Sequence, residues 1–416
     1  MDEARERTLA LRDERLPLLP AILGDDASGL LEAAAGAAGG EVIEWRRSQV
    51  TWQPGASLTV RFDATVRWPH GESPEAFVAV TGRQVPSGAL LLEREGATAG
   101  VWRLPNDAAL PGLATVMDAT RARALLDSVD APAGVVTPTL RAYRPGRRAV
   151  VHLRGESVEA YVKVVRPHRA AALQEAHERA AEALPVPRSF GWSAEHGVVL
   201  LQALPGITFR DALQAASPLP EPGAVAALLD RIPGMPGAPL AADPVESARA
   251  HAPLLRRLLP DQGWQLDRLL GGMAPLPAGA PLVPVHGDLY EAQLMTDGHG
   301  ALTGMLDIDT IGMGYRINDW ANFIGHLATW EAFAPHPNLV RDYAKRLLAH
   351  ADRESDPVAV RERIAAVAVG LATGPFRVQQ TDWPAETRRR LALAGEWLAS
   401  SQRVSKQRRR TLVASR

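Results

Sequence analysis

The chain has 416 residues, 46% hydrophobic and 22% charged, so it can bury a large core and build two or three domains, and it is not disordered throughout. Its 46 Lys and Arg against 47 Asp and Glu give a net charge of -1, no global field for nucleic acid or a membrane surface, so any such partner would need a local patch. Without cysteine it forms neither disulfide nor thiolate metal site; the opening Met-Asp-Glu-Ala-Arg-Glu-Arg is not built like a signal peptide, and no apolar run reaches the roughly 20 residues of a membrane span, so the expected location is the cytoplasm.

Residues 1–40, rich in Ala, Leu, Glu and Arg and interrupted at Pro17 and Pro20, read as two helices ending at Gly39-Gly40. The apolar period then shortens to two through Val42 to Trp68, with a turn at Pro69 to Pro74. Phe77 to Val80, Leu90 to Glu93 and Val101 to Leu104 complete a small, mostly antiparallel sheet. A connector follows, with a helix over Ala119 to Asp127. Alternation returns at Leu140 to Leu153, which turns at Pro145-Gly146, and Tyr161 to Val165 is a further strand.

Trp52-Gln53-Pro54-Gly55 through Phe62 matches Tyr143-Arg144-Pro145-Gly146 through Leu153 in turn and apolar positions. This is either a degenerate internal repeat, with Ala79 standing where the second copy has Lys163, or two ordinary hairpins. Lys163 lies in an otherwise apolar strand, where an unpaired ammonium is expensive to bury, so it needs an anionic partner; the following helix offers Glu175 and Glu178. After Pro205-Gly206 the chain reads as a series of amphipathic helices, continuing to about Ser400. Residues 401–416 carry six basic side chains and no acidic one, and read as a solvated tail.

The densest chemistry lies between Val283 and Leu327. His286-Gly287-Asp288 is followed by Gln293, and Asp297-Gly298 signals a hairpin between two short apolar runs. Pairing those runs places Asp288 and Gln293 at the mouth of one strand and Asp307 at the mouth of the other, a carboxylate, an amide and a carboxylate around one small volume. Phosphoryl transfer needs such a set: one carboxylate to accept a hydroxyl proton, and oxygen ligands to hold Mg2+ against phosphates. Asp309, two residues past Asp307, falls on the same side of an extended segment, and His286 reads as a packed loop support.

The run His286-Gly287-Asp288, an amide at Gln293, Leu306-Asp307-Ile308-Asp309 and then Asp319-Trp320-Ala321-Asn322-Phe323 resembles the aminoglycoside phosphotransferase and choline kinase-like family. The resemblance implies a protein-kinase-like fold in which this motif replaces the kinase catalytic loop. It implies Asp288 as catalytic base, Gln293 and Asp307, with Asp309 beside them, as metal ligands, and Asp319 with His286 as supports of the loop. It further implies that Lys163 pairs with Glu175 or Glu178 and reaches the nucleotide phosphates, and that backbone groups from Gln202 to Leu204 meet the adenine edge. The family's usual Asn is Gln293 here, as in a maltokinase-like branch; the extra methylene moves the carbonyl oxygen outward.

The expected fold class is α+β: a bilobal protein-kinase-like fold with a strand-rich N-lobe over 135–203, a helical C-lobe over 204–400 and a basic tail over 401–416. An extra N-terminal α+β module over 1–130 would pack on the N-lobe, where it could limit lobe motion or help form a homodimer. The expected activity is ATP- and Mg2+-dependent phosphorylation of a small-molecule hydroxyl. The acceptor stays open among an aminoglycoside, a sugar or amino sugar, and choline or another amino alcohol, with Glu331 and Asp382 as acidic groups able to meet an amine. The alternative is a nucleotide-binding regulatory pseudokinase, against which Asp288 and Asp307 both remain; a metal hydrolase would need a denser His and carboxylate cluster. No nucleic acid or membrane partner is expected.

Overall fold

A computed structural model describes residues 3–82, 85–86, 88–94, 96–277 and 279–414. The chain is α+β and divides into two compact units, the first made of residues 1–174, 189–203 and 374–384, the second of 175–188, 204–373 and 385–416. The strand-rich stretches expected as a separate module over 1–130 and an N-lobe over 135–203 therefore fall in one unit.

The first unit opens with α1 (Glu3–Ala10), α2 (Leu19–Leu23) and α3 (Ala27–Gly36), three helices where two are expected, because the backbone turns extended at Gly24 and separates α2 from α3. Five strands follow: β1 (Glu41–Gln53), β2 (Ser57–Trp68), β3 (Gly71–Gly82), β4 (Leu90–Arg94) and β5 (Ala97–Arg103). In β2 the period of two is clear: Leu58, Val60, Phe62, Ala64, Val66 and Trp68 are buried, and of the alternate residues only Ser57 is. The connector forms α4 (Gly112–Met117) and α5 (Ala119–Asp127), and α5 coincides with the helix expected there. Then come β6 (Thr137–Arg144), β7 (Arg148–Arg154), β8 (Glu159–Val165), α6 (Pro167–Ala183), β9 (Ser189–Ser193) and β10 (Val198–Gln202). Helix α6 passes into the second unit after Gln174.

The two sheets have the same order, β1-β2-β3-β5-β4 and β6-β7-β8-β10-β9, with antiparallel neighbours throughout. Each Pro-Gly turn is held by the same device. Asp13 accepts hydrogen bonds from Trp52 Nε1 (3.2 Å) and Gly55 N (2.7 Å). Asp107 accepts them from the Tyr143 hydroxyl (2.8 Å) and Gly146 N (2.7 Å). The segments that follow repeat as well, Leu16 and Leu110 each donating 2.9 Å bonds to the Asp13 and Asp107 carbonyls. Of the two readings of the sequence, the internal repeat is the one these contacts support. One position moves. Four residues after its turn glycine, Thr59 faces Val80 and Val150 faces Lys163, so Val80, not Ala79, occupies the place of the lysine. Both sheets bury side chains in one apolar cluster, where Val78, Val80 and Trp102 meet Leu110, Leu113, Leu153, Val162, Val164 and Leu200.

The second unit contains β11 (Ile207–Thr208), α7 (Phe209–Gln214), α8 (Pro222–Leu229), α9 (Pro244–Leu258), α10 (Gly263–Gly271), β12 (Val283–Val285), β13 (Leu294–Thr296), β14 (Leu302–Met305) and β15 (Gly312–Gly314). Helices α11 (Arg316–Trp330), α12 (Pro337–Glu354) and α13 (Pro357–Leu371) complete its core around Phe209, Trp320, Phe323, Ile324 and Tyr343. A short α14 (Gly374–Arg377) returns to the first unit, where Trp383 Nε1 donates to Ala4 O (3.3 Å) and Thr8 Oγ1 (3.2 Å). The last helix, α15 (Trp383–Ala414), runs through most of the residues expected as a tail. Gln, Lys and Arg are good helix formers, and no Gly or Pro after Ser400 stops the helix; residues 415 and 416 lie outside the described residues. Among the described residues no helix is long and apolar enough to cross a membrane.

Candidate active site

Strand β12 pairs with β15 and delivers the chain into His286-Gly287-Asp288. Asp319, in the first turn of α11 and fully buried, accepts the His286 N–H and the Gly287 N–H, each at 2.9 Å. Burial pushes its carboxyl above the ordinary range, opposed by His286, by these two bonds and by Arg316. His286 Nε2 lies 2.9 Å from the Leu306 carbonyl, which can only accept, and Nδ1 takes the Asp288 N–H at 3.3 Å. These partners suit an imidazole that donates from Nε2 and accepts at Nδ1, tied to the loop at both nitrogens. Thr310 Oγ1 donates to the His286 carbonyl at 2.8 Å. Gly287 has φ +82, and a Cβ there would come within 2.6 Å of the Thr310 carbonyl oxygen, so only glycine fits. The Asp288 carboxylate at the end of this loop is partly exposed.

The hairpin forms as the sequence predicts, with Leu294 opposite Met305 and Met295 opposite Gly304, but its loop is five residues, 297–301. Asp297 Oδ1 organises that loop by accepting from His299 N (2.8 Å) and Ala301 N (3.1 Å). At the open end the hairpin brings Gln293 Nε2 to 3.4 Å from Asp307 Oδ2. Asp307 is left-handed, φ 51 and ψ 51, a conformation that a non-glycine residue holds only where its surroundings impose it. The left-handed residue leads directly into a 3₁₀ turn over Ile308–Thr310, so the segment is not extended and the argument placing Asp309 on one side with Asp307 fails. The Asp309 carboxylate instead lies 3.9 Å from Nε2 of the buried His177.

Gln293 and Asp307 offer hard oxygen donors, which suit Mg2+. Among the described residues no group of three or more His, Cys, Asp or Glu is arranged to hold a metal ion. Two such donors would suit Mg2+ only where phosphates and water completed the shell.

The remaining sequence candidates are distributed between the units. Lys163, central in β8 between Val150 and Val199, and Gln202, the last residue of β10, belong to the first unit. Glu175, Glu178 and Leu204 belong to the second. Glu175 is exposed and pairs at 3.3 Å with Arg179 of its own helix.

Beside Asp288 stand residues that carry no local signal in the sequence. The Tyr290 ring stacks on His326, centroids 4.6 Å apart. Burial, then the charge of Asp288, pushes the Tyr290 hydroxyl up, with Asp307 adding to the effect. Glu291, fully buried, accepts from Arg210 Nε at 2.9 Å and also meets Arg210 Nη2. Arg210, His326 and His177 come from helices whose only readable pattern is amphipathic packing.

The chain was compared with families and with known proteins. The model of the phosphotransferase enzyme family matches residues 139–357. No curated protein matches. Among solved structures, an aminoglycoside phosphotransferase from Streptomyces rimosus is similar at 18% identity and a TM-score of 0.42, over 60% of this chain and 98% of that one. A choline/ethanolamine kinase family protein from Mesorhizobium loti is similar at 14% identity and a TM-score of 0.43, over 67% of this chain and 94% of that one. The family match spans more than half of the 416 residues and includes the His286-Gly287-Asp288 loop, the hairpin and Asp319: the chain belongs to the phosphotransferase enzyme family.

Proposed function

We propose that the chain transfers the γ-phosphoryl group of ATP to a hydroxyl of a small molecule. One observation carries this reading. The backbone N–H groups of His286 and Gly287 end on Asp319, the imidazole ends on Leu306, and the His286 carbonyl ends on Thr310, so the partly exposed Asp288 carboxylate is presented from an immobilised loop. Catalysis of this transfer rests on position and charge, which a fixed carboxylate and the amide–carboxylate pair at the mouth of the following hairpin would supply. As the acceptor oxygen bonds to the γ-phosphorus, the bond to the bridging oxygen breaks, ADP leaves and Asp288 takes the hydroxyl proton. Bound Mg2+, for which Gln293 and Asp307 are the proposed ligands and Asp309 a further candidate, would offset charge on the phosphates. Lys163 is the proposed phosphate cation, and the backbone from Gln202 to Leu204 the proposed adenine contact. Glu175 and Glu178 both stay as proposed partners of Lys163.

The test is ATP consumption by the purified chain over a panel of hydroxylated small molecules, with Asp288→Asn alongside. The variant is expected to lose about 10²-fold or more in kcat while nucleotide affinity stays within a few-fold. Turnover near wild type in that variant would sink the mechanism.

A further inference from the structure

The internal repeat runs past its turns. After β5, Leu104 N donates to Ala76 O at 2.8 Å, and after β10, Ala203 N donates to Glu159 O at 3.3 Å, so Leu104 and Pro105 stand in the first sheet where Ala203 and Leu204 follow the second. Arg61, two residues after Thr59, shares the side of β2 that neighbours Val80, the counterpart of Lys163. The face and strand end that carry the proposed phosphate cation and adenine contact thus have a twin within the first unit.

A cleft opens at this place. Leu104, Pro105, Leu113 and Met117 line an apolar end of about 190 Å³, Arg46 and Asp63 line an adjoining part of about 640 Å³, and Arg61 borders both. The smaller part has room for one ring or branched alkyl group, since a cavity of about 150 Å³ holds benzene. The larger falls within the roughly 300–1,000 Å³ of small-molecule pockets. The twin lacks the means to read a nucleotide: Pro105 has no N–H, the Arg103 carbonyl is taken by Asn106 N at 2.9 Å, and valine stands in place of the lysine.

What the cleft keeps is an arginine with donors to spare. The Arg61 side chain is 28% exposed and pairs with Asp63 Oδ1 at 3.2 Å; among the described residues its guanidinium makes no other hydrogen bond or ion pair, and Nε has no partner. A guanidinium offers five N–H donors. Asp63 is further matched by Arg46 Nη2 at 2.7 Å and by the Ser48 hydroxyl at 3.0 Å. Glu75, opposite Ala64, projects from the other side of β3 and pairs with Arg103 Nη1 at 3.6 Å. Asp63 and Glu44 balance the charges of Arg46 and Arg61, so the cleft presents directed donors without surplus positive charge, a setting for a single carboxylate and not for a phosphate dianion.

We infer that this cleft is a second small-molecule site, taking an amphipathic monocarboxylate whose ring-sized or branched apolar group lies against Leu104, Leu113 and Met117 and whose carboxylate meets the Arg61 guanidinium.

The experiment is titration calorimetry on the full-length chain with phenylacetate and isovalerate, with their neutral counterparts phenethyl alcohol and isoamyl alcohol, and with phenyl phosphate. Each carboxylate should bind once per chain and at least about tenfold more tightly than its alcohol, as a charge-assisted bond to Arg61 requires. Arg61→Gln should remove that advantage. Met117→Trp fills the apolar end and leaves Arg61 in place, and should weaken carboxylates and alcohols alike by about tenfold or more. Saturating Mg·ATP should not displace either carboxylate. The assignment is overturned if neither carboxylate binds, if they bind no better than the alcohols, if both variants bind as wild type does, if phenyl phosphate binds more tightly, or if Mg·ATP competes. None of these outcomes bears on the phosphotransferase reading, which the turnover of Asp288→Asn decides.

Discussion

Replacing Asp319 by Asn would keep the side-chain shape and remove one of its two acceptors, so either His286 N or Gly287 N would face an amide NH2 in a fully buried place. An unsatisfied buried N–H costs about 1–3 kcal/mol, and urea denaturation of Asp319→Asn should show a loss in that range together with a lower kcat. A stability change below about 0.5 kcal/mol would mean that the loop does not depend on this carboxylate. Asp307 permits a cleaner separation of structure from chemistry. Its left-handed backbone at φ 51 is a conformation glycine holds at little cost, so Asp307→Gly should leave the melting temperature unchanged or slightly raised. The same change removes the anionic oxygens, so titration calorimetry should show weaker Mg2+-dependent ATP binding. Unaltered Mg·ATP affinity would remove Asp307 from the ligand set. At this scale the sequence was informative where function is local: His286, Gly287, Asp288, Gln293, Asp307 and Asp319 are legible as one motif and are assembled within one unit. His177, Arg210 and His326 were not legible, because each arrives from another helix and leaves only an amphipathic pattern.

Between elements, the two Pro-Gly turns show what a single sequence transmits and what it loses. The turns and alternating strands were readable, since both follow from local rules. Asp13 and Asp107, which hold those turns, were not, because they lie 42 and 39 residues before the glycines they bind. The lysine position was misplaced by one residue for a related reason: facing residues are set by the neighbouring strand, through Thr59 with Val80 and Val150 with Lys163. If the two devices are equivalent, Asp13→Ala and Asp107→Ala should destabilise to a similar degree, each by about 1–3 kcal/mol for the donors left unmatched. The double variant should lose the sum within about 0.5 kcal/mol, since the two aspartates share no partner. A loss from Asp107→Ala alone would show that only the second turn is held by its aspartate.

For the whole molecule the shared cluster decides what can be removed. Val78, Val80, Trp102, Leu110, Leu113, Val116, Ala122 and Leu126 all precede residue 130 and pack in one cluster with the second sheet. Burying a large apolar side chain contributes roughly 1.5–3 kcal/mol, so losing this set exceeds the roughly 5–15 kcal/mol that holds a typical domain folded. A chain beginning near residue 133 is therefore expected to be insoluble or unfolded by circular dichroism; a folded fragment that binds ATP would make the N-terminal strands an accessory.

Trp383 adds an ordering in time. Its indole closes on Ala4 and Thr8, so the first helix of the first unit waits for a partner that leaves the ribosome only after Thr373, the end of the second unit's long central segment. At about 5–20 residues per second, that interval is on the order of ten seconds or more after the second sheet has emerged. Over this time the Thr8 end of α1 must be shielded by other means, and a ribosome stalled anywhere short of Trp383 carries a first unit that is not yet closed.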